Sequence, residues 1–206
     1  ARIPAPERAD AALQVPTTPE RQAIVERLVE KSRYYEEARK LGHIAASQAI
    51  VEDGMRQFVV CSGGGPSIME AANRGAVEAG GETIGLNIVL PHEQAPNSWV
   101  TPGLSFQFHY FALRKMHFLL RARAVAVFPG GFGTFDEFFE LLCLIQTCKM
   151  KPIPILLFGG DFWKRVVNFE ALAEEGVINR EDLNLFTPVE TAEEGWDVIR
   201  RFYDLD

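Results

Sequence analysis

The sequence has few of the residues that build disulfide scaffolds, metal sites or membrane anchors. It contains only three cysteines, Cys61, Cys143 and Cys148, which make neither an even disulfide framework nor a closely spaced metal-binding set. No apolar run reaches the roughly 18 residues that a membrane-spanning helix needs, and the first residues carry no signal-peptide pattern. The chain is therefore predicted to be cytoplasmic, with reduced thiols, no metal and no membrane partner.

Positive charge is also scarce. Lysine and arginine together number 21 against 28 acidic residues, and the net charge of −7 argues against a nucleic-acid partner. An anionic ligand must then depend on a local positive field rather than on the charge of the whole protein. A hydrophobic content of 47% over 206 residues is typical of a globular protein, so one domain over residues 1–206 is predicted.

Strands alternate with helices along most of the chain, after a proline-rich segment, residues 1–18, that is predicted to be irregular. The predicted helices are two within 20–52, then 67–79, 110–123, 134–148, 162–175 and 192–203. The predicted strands are 58–61, 83–89, 105–109, 124–128 and 153–158, with a long loop over 91–104. This alternation predicts an α/β fold in which a doubly wound, Rossmann-like parallel sheet is flanked by helices. Because such a sheet normally opens with a strand, the first strand is expected upstream of residue 1.

The segment 128–140 is the most informative part of the sequence for function. An apolar strand leads into Pro129, Gly130 and Gly131, and a helical pattern starts at Thr134. A glycine-rich turn into a helix start leaves backbone N–H groups without partners, and the helix dipole adds partial positive charge there. An anion, most often a phosphate, is the natural occupant. The carboxylates of Asp136 and Glu137 follow directly, and an acid next to a phosphate site indicates chemistry on a phosphorylated small molecule.

A purely structural interpretation of the same residues is also open. Thr134 and Glu137 have the spacing of a capping box, in which the glutamate only accepts from the N-cap amide. Gly131-Phe132-Gly133 is not part of a dinucleotide fingerprint, because the final small residue is missing. No Gly-Lys-Ser/Thr follows either, so P-loop nucleotide hydrolysis is not indicated.

A second glycine loop and a basic pair point to the same place. Gly63, Gly64 and Gly65 follow the predicted strand 58–61, and strand-to-helix loops of a parallel sheet lie at one edge. The alternative is that tight turns simply need glycine. Arg114 and Lys115 lie on the predicted helix before the Pro129 loop, where a guanidinium suits a phosphate or a sugar diol. The alternative for this pair is a solvated surface.

These segments resemble the signature blocks of the LOG family, cytokinin riboside 5′-monophosphate phosphoribohydrolases that were formerly labelled lysine decarboxylases. The resemblance runs from about Tyr35 to the C-terminus. Its blocks are Gly63-Gly64-Gly65-Pro66-Ser67-Ile68-Met69-Glu70-Ala71-Ala72-Asn73, Leu90-Pro91-His92-Glu93-Gln94, Arg114-Lys115 and Pro129-Gly130-Gly131-Phe132-Gly133-Thr134-Phe135-Asp136-Glu137.

The resemblance implies hydrolysis of the N-glycosidic bond of a nucleoside 5′-monophosphate to free base and ribose 5-phosphate, without a cofactor. Arg114 and Glu137 fall on the family's active-site residues, and homodimers or larger even-numbered assemblies are expected. Cys143 stands where plant members have a substrate-side threonine, so the base stays open between AMP, as in an AMP nucleosidase, and a cytokinin-type nucleotide. The expected substrate contacts are Gly64, Gly65, Glu93, Lys115, Gly130, Gly131, Gly133, Thr134 and Asp136.

Two other functions remain open from the sequence. A pyridoxal-phosphate lysine decarboxylase would hold the cofactor's phosphate on the glycine loop, but nothing marks Lys115, Lys149 or Lys151 as a Schiff-base lysine. A non-catalytic nucleotide-binding or carrier module is the third interpretation, because a fold does not determine a function.

Overall fold

In residues 3–53, 55–89 and 95–205, which the computed structural model describes, two three-stranded parallel sheets are flanked by helices. One sheet lies in Ala1–Leu120 (unit 1) and the other in Arg121–Asp206 (unit 2). The α/β class and the parallel pairing predicted from the alternating pattern are confirmed. A single domain over residues 1–206 stays a prediction.

Unit 1 begins with three helices and then alternates strands with helices. Its elements are α1 (Pro6–Leu13), α2 (Pro19–Lys31), α3 (Arg33–Ser47), β1 (Val51–Glu52), β2 (Met55–Arg56), β3 (Val60–Ser62), α4 (Ile68–Glu78), β4 (Thr83–Ile88), β5 (Ser105–Phe108) and α5 (Phe111–Leu120). The parallel sheet has the order β3-β4-β5, and a 3-10 turn at Pro102–Leu104 precedes β5. β1 and β2 form a separate antiparallel pair.

Helices α3 and α4 pack backbone against backbone. Gly42 of α3 faces the carbonyl of Ala72, and Gly75 of α4 faces the carbonyl of Arg39. A β-carbon at either glycine would overlap the facing backbone oxygen. The two helices therefore approach closely only because both contact positions lack a side chain.

An ion-pair network joins the same two helices at their surface. The Glu78 carboxylate of α4 accepts from Arg39 of α3 at 2.7 Å and from Arg74 at 2.9 Å. These hydrogen bonds, the one from Arg39 foremost, hold the pKa of the Glu78 carboxyl below its ordinary value. The stability that this network contributes is consequently lost as the pH falls through the lowered pKa of Glu78.

Unit 2 repeats the alternation of strand and helix. Its elements are β6 (Val125–Val127), α6 (Phe132–Gln146), β7 (Ile155–Phe158), α7 (Gly160–Val166), α8 (Phe169–Glu174), β8 (Thr187–Val189) and α9 (Ala192–Phe202), with a 3-10 segment at Arg180–Leu185. The strand order is β6-β7-β8.

The core of unit 2 is aromatic. All four residues of β7 are buried, and the ring of Phe158 stacks on Phe128 with 4.2 Å between centroids. The indole Nε1 of Trp163 donates to the Phe158 carbonyl at 2.8 Å, so this large side chain is buried with its polar atom satisfied. Phe138 of α6 is 1% exposed and lies 5.5 Å from Trp163, which ties α6 to this core.

The sequence prediction is wrong at several element boundaries. Residues 1–18 are not irregular throughout, because α1 forms there with Pro6 in its first turn. The predicted helix 162–175 is divided into α7 and α8, because the Asn168 side chain accepts from the Ala171 N–H and starts a new helix. The helical pattern predicted up to residue 52 ends at Ser47, and the three-residue strand β8 was not predicted.

The described helices of unit 1 and unit 2 differ from membrane-spanning helices. Among the described residues, none of them has both the length and the apolar character needed to cross a membrane.

The close approach of α3 and α4 predicts that Gly75→Ala destabilises the protein. The new β-carbon meets the rigid Arg39 carbonyl, so the helices must separate, at a cost of about 1–3 kcal/mol. We expect the thermal midpoint to fall by several degrees in a calorimetric scan. Gly103→Ala is the matched control, because no atom lies within 4 Å of its β-carbon. Equal midpoints for the two variants would contradict the proposed packing.

Candidate functional site

The glycine loop of unit 2 leads directly into a long helix. β6 ends at Val127, Gly131 is the N-cap in an extended conformation, and α6 runs for 15 residues from Phe132. The Gly131 carbonyl accepts from the N–H groups of Thr134 at 2.9 Å and Phe135 at 3.1 Å. The helix thus starts two residues before Thr134, where the sequence pattern had placed its beginning.

This helix start excludes the capping-box interpretation of Glu137. A capping box would make Thr134 the N-cap and use its N–H as the donor to Glu137. The structure instead assigns the N-cap to Gly131, and the Thr134 N–H donates to the Gly131 carbonyl. Glu137 lies in the second turn of α6 and is half-buried. In a helix the Cα–Cβ bond tilts toward the N-terminus, so the Cβ of Glu137 is tilted toward the first turn.

The first turn of α6 contains backbone donors next to two glycines with open space beside them. The N–H groups of Phe132 and Gly133 have no acceptor inside the helix, and none elsewhere in residues 3–53, 55–89 and 95–205. No atom lies within 4 Å of a β-carbon built on Gly131 or Gly133. At Gly130, by contrast, a β-carbon would overlap the Thr134 hydroxyl. Gly130 is therefore needed for packing, while Gly131 and Gly133 leave room for a ligand.

Packing on the opposite side holds this helix start in place. The ring of Phe135 lies 5.2 Å from Trp163, and Phe139 stacks on Phe169 at 6.2 Å. Phe132, in contrast, is 96% exposed at the tip of the loop. The exposed Asp136 and the half-buried Glu137 share this first part of α6. The site thus combines backbone N–H donors and carboxylates on one well-supported helix.

The glycine loop of unit 1 is a strained turn between β3 and α4. Gly64 has a φ of +68°, and a β-carbon there would overlap the Asn87 side chain. Ser67, the N-cap of α4, has a φ of 71° and a ψ of −130°, a conformation that favours glycine. The interpretation that this turn simply needs glycine therefore holds for Gly64.

Three polar residues that the sequence analysis did not select surround this loop. Asn73 is fully buried, and Asn87 and Ser62 are each 8% exposed. The Asn73 Oδ1 accepts from the Ser62 hydroxyl at 2.7 Å, and the Ser62 oxygen accepts from the Gly64 N–H at 3.1 Å. Asn87 could have been selected from the sequence, because it is a lone asparagine in the apolar strand predicted over 83–89.

Arg114 and Lys115 lie on α5 in unit 1 and are both half-buried. The Arg114 guanidinium carbon lies 5.6 Å from the Phe111 ring centroid and 5.3 Å from that of Phe118. Phe111 and Phe118 lie one helical turn before and after Arg114. Their rings limit the conformations of the arginine side chain and attract its positive charge. The interpretation of Arg114 as a fully solvated surface charge does not fit this environment.

The predicted site residues are distributed over both units. Residues 130–134 lie beside Asp136 and Glu137 at the start of α6 in unit 2. Gly64, Gly65, Arg114 and Lys115 belong to unit 1, and Glu93 lies outside the described residues.

Across residues 3–53, 55–89 and 95–205, no three His, Cys, Asp or Glu side chains group together as metal ligands would. Cys61, Cys143 and Cys148 are free and exposed.

Comparisons with known proteins agree on one family. A family model described as "Possible lysine decarboxylase" matches residues 69–199. Two probable cytokinin riboside 5′-monophosphate phosphoribohydrolases from Oryza sativa subsp. japonica are similar. One is 25% identical over 66% of this chain, and the other is 26% identical over 72%. The alignments span 59% and 58% of those relatives, which is less than two thirds of their length.

Solved structures share the fold. An X-ray structure of a structural-genomics target has a TM-score of 0.58 at 23% identity, covering 83% of this chain and 89% of that one. The molybdenum cofactor carrier protein of Chlamydomonas reinhardtii has a TM-score of 0.55 at 20% identity, covering 84% of this chain and 89% of the carrier. With a family model matching well over half of the sequence, the chain belongs to the LOG family, whose model bears the lysine decarboxylase description.

Proposed function

We propose that the protein hydrolyses the N-glycosidic bond of a nucleoside 5′-monophosphate and releases the free base and ribose 5-phosphate. The observation that carries this proposal is the start of α6. There, the Phe132 and Gly133 N–H groups lie next to the open space beside Gly131 and Gly133, one turn before the half-buried Glu137. An anion site and a carboxylate at this spacing suit a substrate with a phosphate at one end and a reacting sugar next to it.

The phosphate is the part of the substrate that α6 binds. Two N–H donors and the positive end of a 15-residue helix favour a dianionic group. The Thr134 hydroxyl, which packs over Gly130, adds a further donor in the same turn. Binding of the phosphate away from the reacting carbon positions the ribose for reaction. The free energy of that binding thereby helps to lower the barrier at the reacting carbon.

Glu137 acts on the ribose. Hydrolysis breaks the C1′–N bond, whose electron pair leaves with the base, and forms a C1′–O bond to water, whose proton passes to the base. The transition state has oxocarbenium character, as in glycoside hydrolysis. A carboxylate stabilises that positive charge and orients the attacking water or the ribose hydroxyls.

Arg114 supplies the cation that binds sugar or phosphate oxygens. Its guanidinium is held by Phe111 and Phe118, so less conformational freedom is lost when the substrate binds. The planar fork of donors matches a phosphate or a vicinal diol.

The rice relatives support the reaction class, since both are named as phosphoribohydrolases. Cytokinin-type nucleotides and AMP are both proposed substrates. A lysine decarboxylase is less well supported, because it requires a Schiff-base lysine in the site. Lys149 and Lys151 are exposed, as suits surface lysines, whereas Lys115 is half-buried on α5.

We also propose that two copies of the chain associate through α5. Leu113, Met116 and Leu120 form an apolar stripe on one face of this helix, and each is about half exposed or more. A second copy would cover such a stripe. The apolar side of α6, by contrast, is largely covered by aromatic residues of unit 2.

Substrate panels test the reaction. Chromatography of reactions with purine, pyrimidine and cytokinin-type nucleoside 5′-monophosphates should detect free base and ribose 5-phosphate. The matching nucleosides lack the phosphate, so their kcat/KM should fall by about 10²-fold or more, because two charge-assisted hydrogen bonds are lost. Tight nucleotide binding with no base released from any monophosphate would favour a carrier and contradict the proposal.

Replacing Glu137 tests its catalytic role. Glu137→Gln keeps the shape of the side chain and removes the negative charge beside the developing positive charge. We expect kcat to fall by about 10²-fold or more, with little change in thermal midpoint. The exposed Glu174→Gln should leave both quantities unchanged. Near-normal turnover of Glu137→Gln on every monophosphate that the wild type uses would exclude the assignment.

Light scattering tests the α5 interface. The wild type at micromolar concentration should have the mass of a dimer or a larger even-numbered assembly. Leu120→Glu places a charge on the apolar stripe and should shift the mass toward the monomer. Val15 is also exposed (61%) but lies outside the stripe, so Val15→Glu should keep the wild-type mass. A monomeric wild type would contradict this proposal.

A further inference from the structure

The segment 97–101 of unit 1 is held firmly against the start of β4. Thr83, which is fully buried, donates its hydroxyl to the Trp99 carbonyl at 2.7 Å and its N–H to the Thr101 hydroxyl at 3.0 Å. The Thr101 N–H returns a bond to the Thr83 carbonyl at 3.2 Å. A loop tied to a strand in this way provides a rigid base for its first residue.

That residue is Asn97, and it contacts two carbonyls of the glycine loop. Its N–H donates to the Gly64 carbonyl at 2.8 Å, and its Nδ2 donates to the Gly65 carbonyl at 3.0 Å. The same Nδ2 donates to the Asn73 Oδ1 at 3.1 Å. The Asn97 Oδ1 accepts from the Trp99 N–H at 3.0 Å, which sets the orientation of the amide.

Asn73 connects this contact to the other side of the loop. Its Oδ1 also accepts from Ser62, whose oxygen holds the Gly64 N–H. Its Nδ2 is buried and has no acceptor in residues 3–53, 55–89 and 95–205. Leaving a buried donor unsatisfied costs stability. The Asn73 side chain is therefore kept in this position by the bonds of its oxygen, which connects Ser62 to Asn97.

The network determines where the loop's N–H groups point. Because a peptide group is planar and trans, holding the Gly64 carbonyl toward Asn97 turns the Gly65 N–H in the opposite direction. The Gly64 N–H is already bound to Ser62. The Gly65 N–H has no acceptor within the described part of the chain. One backbone donor of the loop is thus held in a fixed direction and remains available.

We propose that Asn97 is a positioning residue that holds the Gly63–Gly65 loop so that the Gly65 N–H donates to an oxygen of the bound nucleotide. This inference rests on the proposed function, since it takes a nucleoside 5′-monophosphate as the ligand. Asn97 acts through the loop and does not itself contact the reacting atoms.

Asn97→Asp tests the role with a side chain of the same shape. The aspartate keeps an oxygen for the Trp99 N–H, but it replaces Nδ2 by an oxygen that repels the Gly65 carbonyl and the Asn73 Oδ1. The backbone bond from the Asn97 N–H to the Gly64 carbonyl remains, but the repulsion at the Gly65 carbonyl should rotate the Gly65 end of the loop. A contact present in both ground and transition states should then be lost. We expect KM and the Kd for AMP to rise about tenfold, the value of one hydrogen bond, with kcat within about twofold.

Two further variants provide a control and a second test of the network. Asn168→Asp makes the same chemical change at the N-cap of α8, where the side-chain oxygen alone is used, and should leave KM, Kd and kcat unchanged. Ser62→Ala breaks the other arm of the network and should raise KM and Kd in the same direction if Asn97→Asp proves too unstable to assay.

The outcomes separate the two proposals. Unchanged Kd and KM in Asn97→Asp and Ser62→Ala, with an active wild type, would overturn the positioning role alone. A fall in kcat and thermal midpoint with unchanged Kd would also overturn it, since that indicates a purely structural residue. A wild type that binds AMP without releasing base would refute the proposed hydrolysis, while a tenfold rise in Kd would still support the role of Asn97. A wild type that binds no monophosphate would overturn both.

Discussion

The candidate site depends on a helix that starts on a residue without a side chain. Gly131 is the N-cap of α6 and offers no capping oxygen, so the first backbone N–H groups of the helix are left for a ligand. A serine or aspartate at this position would satisfy one of those donors internally and add stability. The protein gives up that stabilisation, which is the general cost of an anion site built from backbone.

Such a site needs rigid support, and the aromatic core of unit 2 supplies it. Phe138 is buried against Trp163, whose indole is tied to the end of β7. The apolar face of α6 therefore determines where its polar start lies. In unit 1 the support is polar instead, because Asn73 and Asn97 hold the glycine loop through directed hydrogen bonds. One loop is held by packing and the other by hydrogen bonds.

The sequence predicts much of this arrangement and misses the rest for physical reasons. Alternating patterns predict the α/β class, and glycine loops after strands predict the anion site. The start of α6 was placed two residues late because the apolar periodicity begins at Phe135, whereas the actual N-cap is set by backbone geometry at Gly131. The Asn97 contact with Gly65 joins residues 32 positions apart, and no local pattern encodes such a bond.

The account's central claim is that the first turn of α6 binds the phosphate of a nucleotide. A crystal structure of the Glu137→Gln variant soaked with AMP tests it most directly, because the substrate would persist. We expect phosphate oxygens about 2.7–3.2 Å from the N–H nitrogens of Phe132 and Gly133, the range of N–H···O hydrogen bonds. A nucleotide bound with its phosphate elsewhere, while both N–H groups contact only water, would contradict the account.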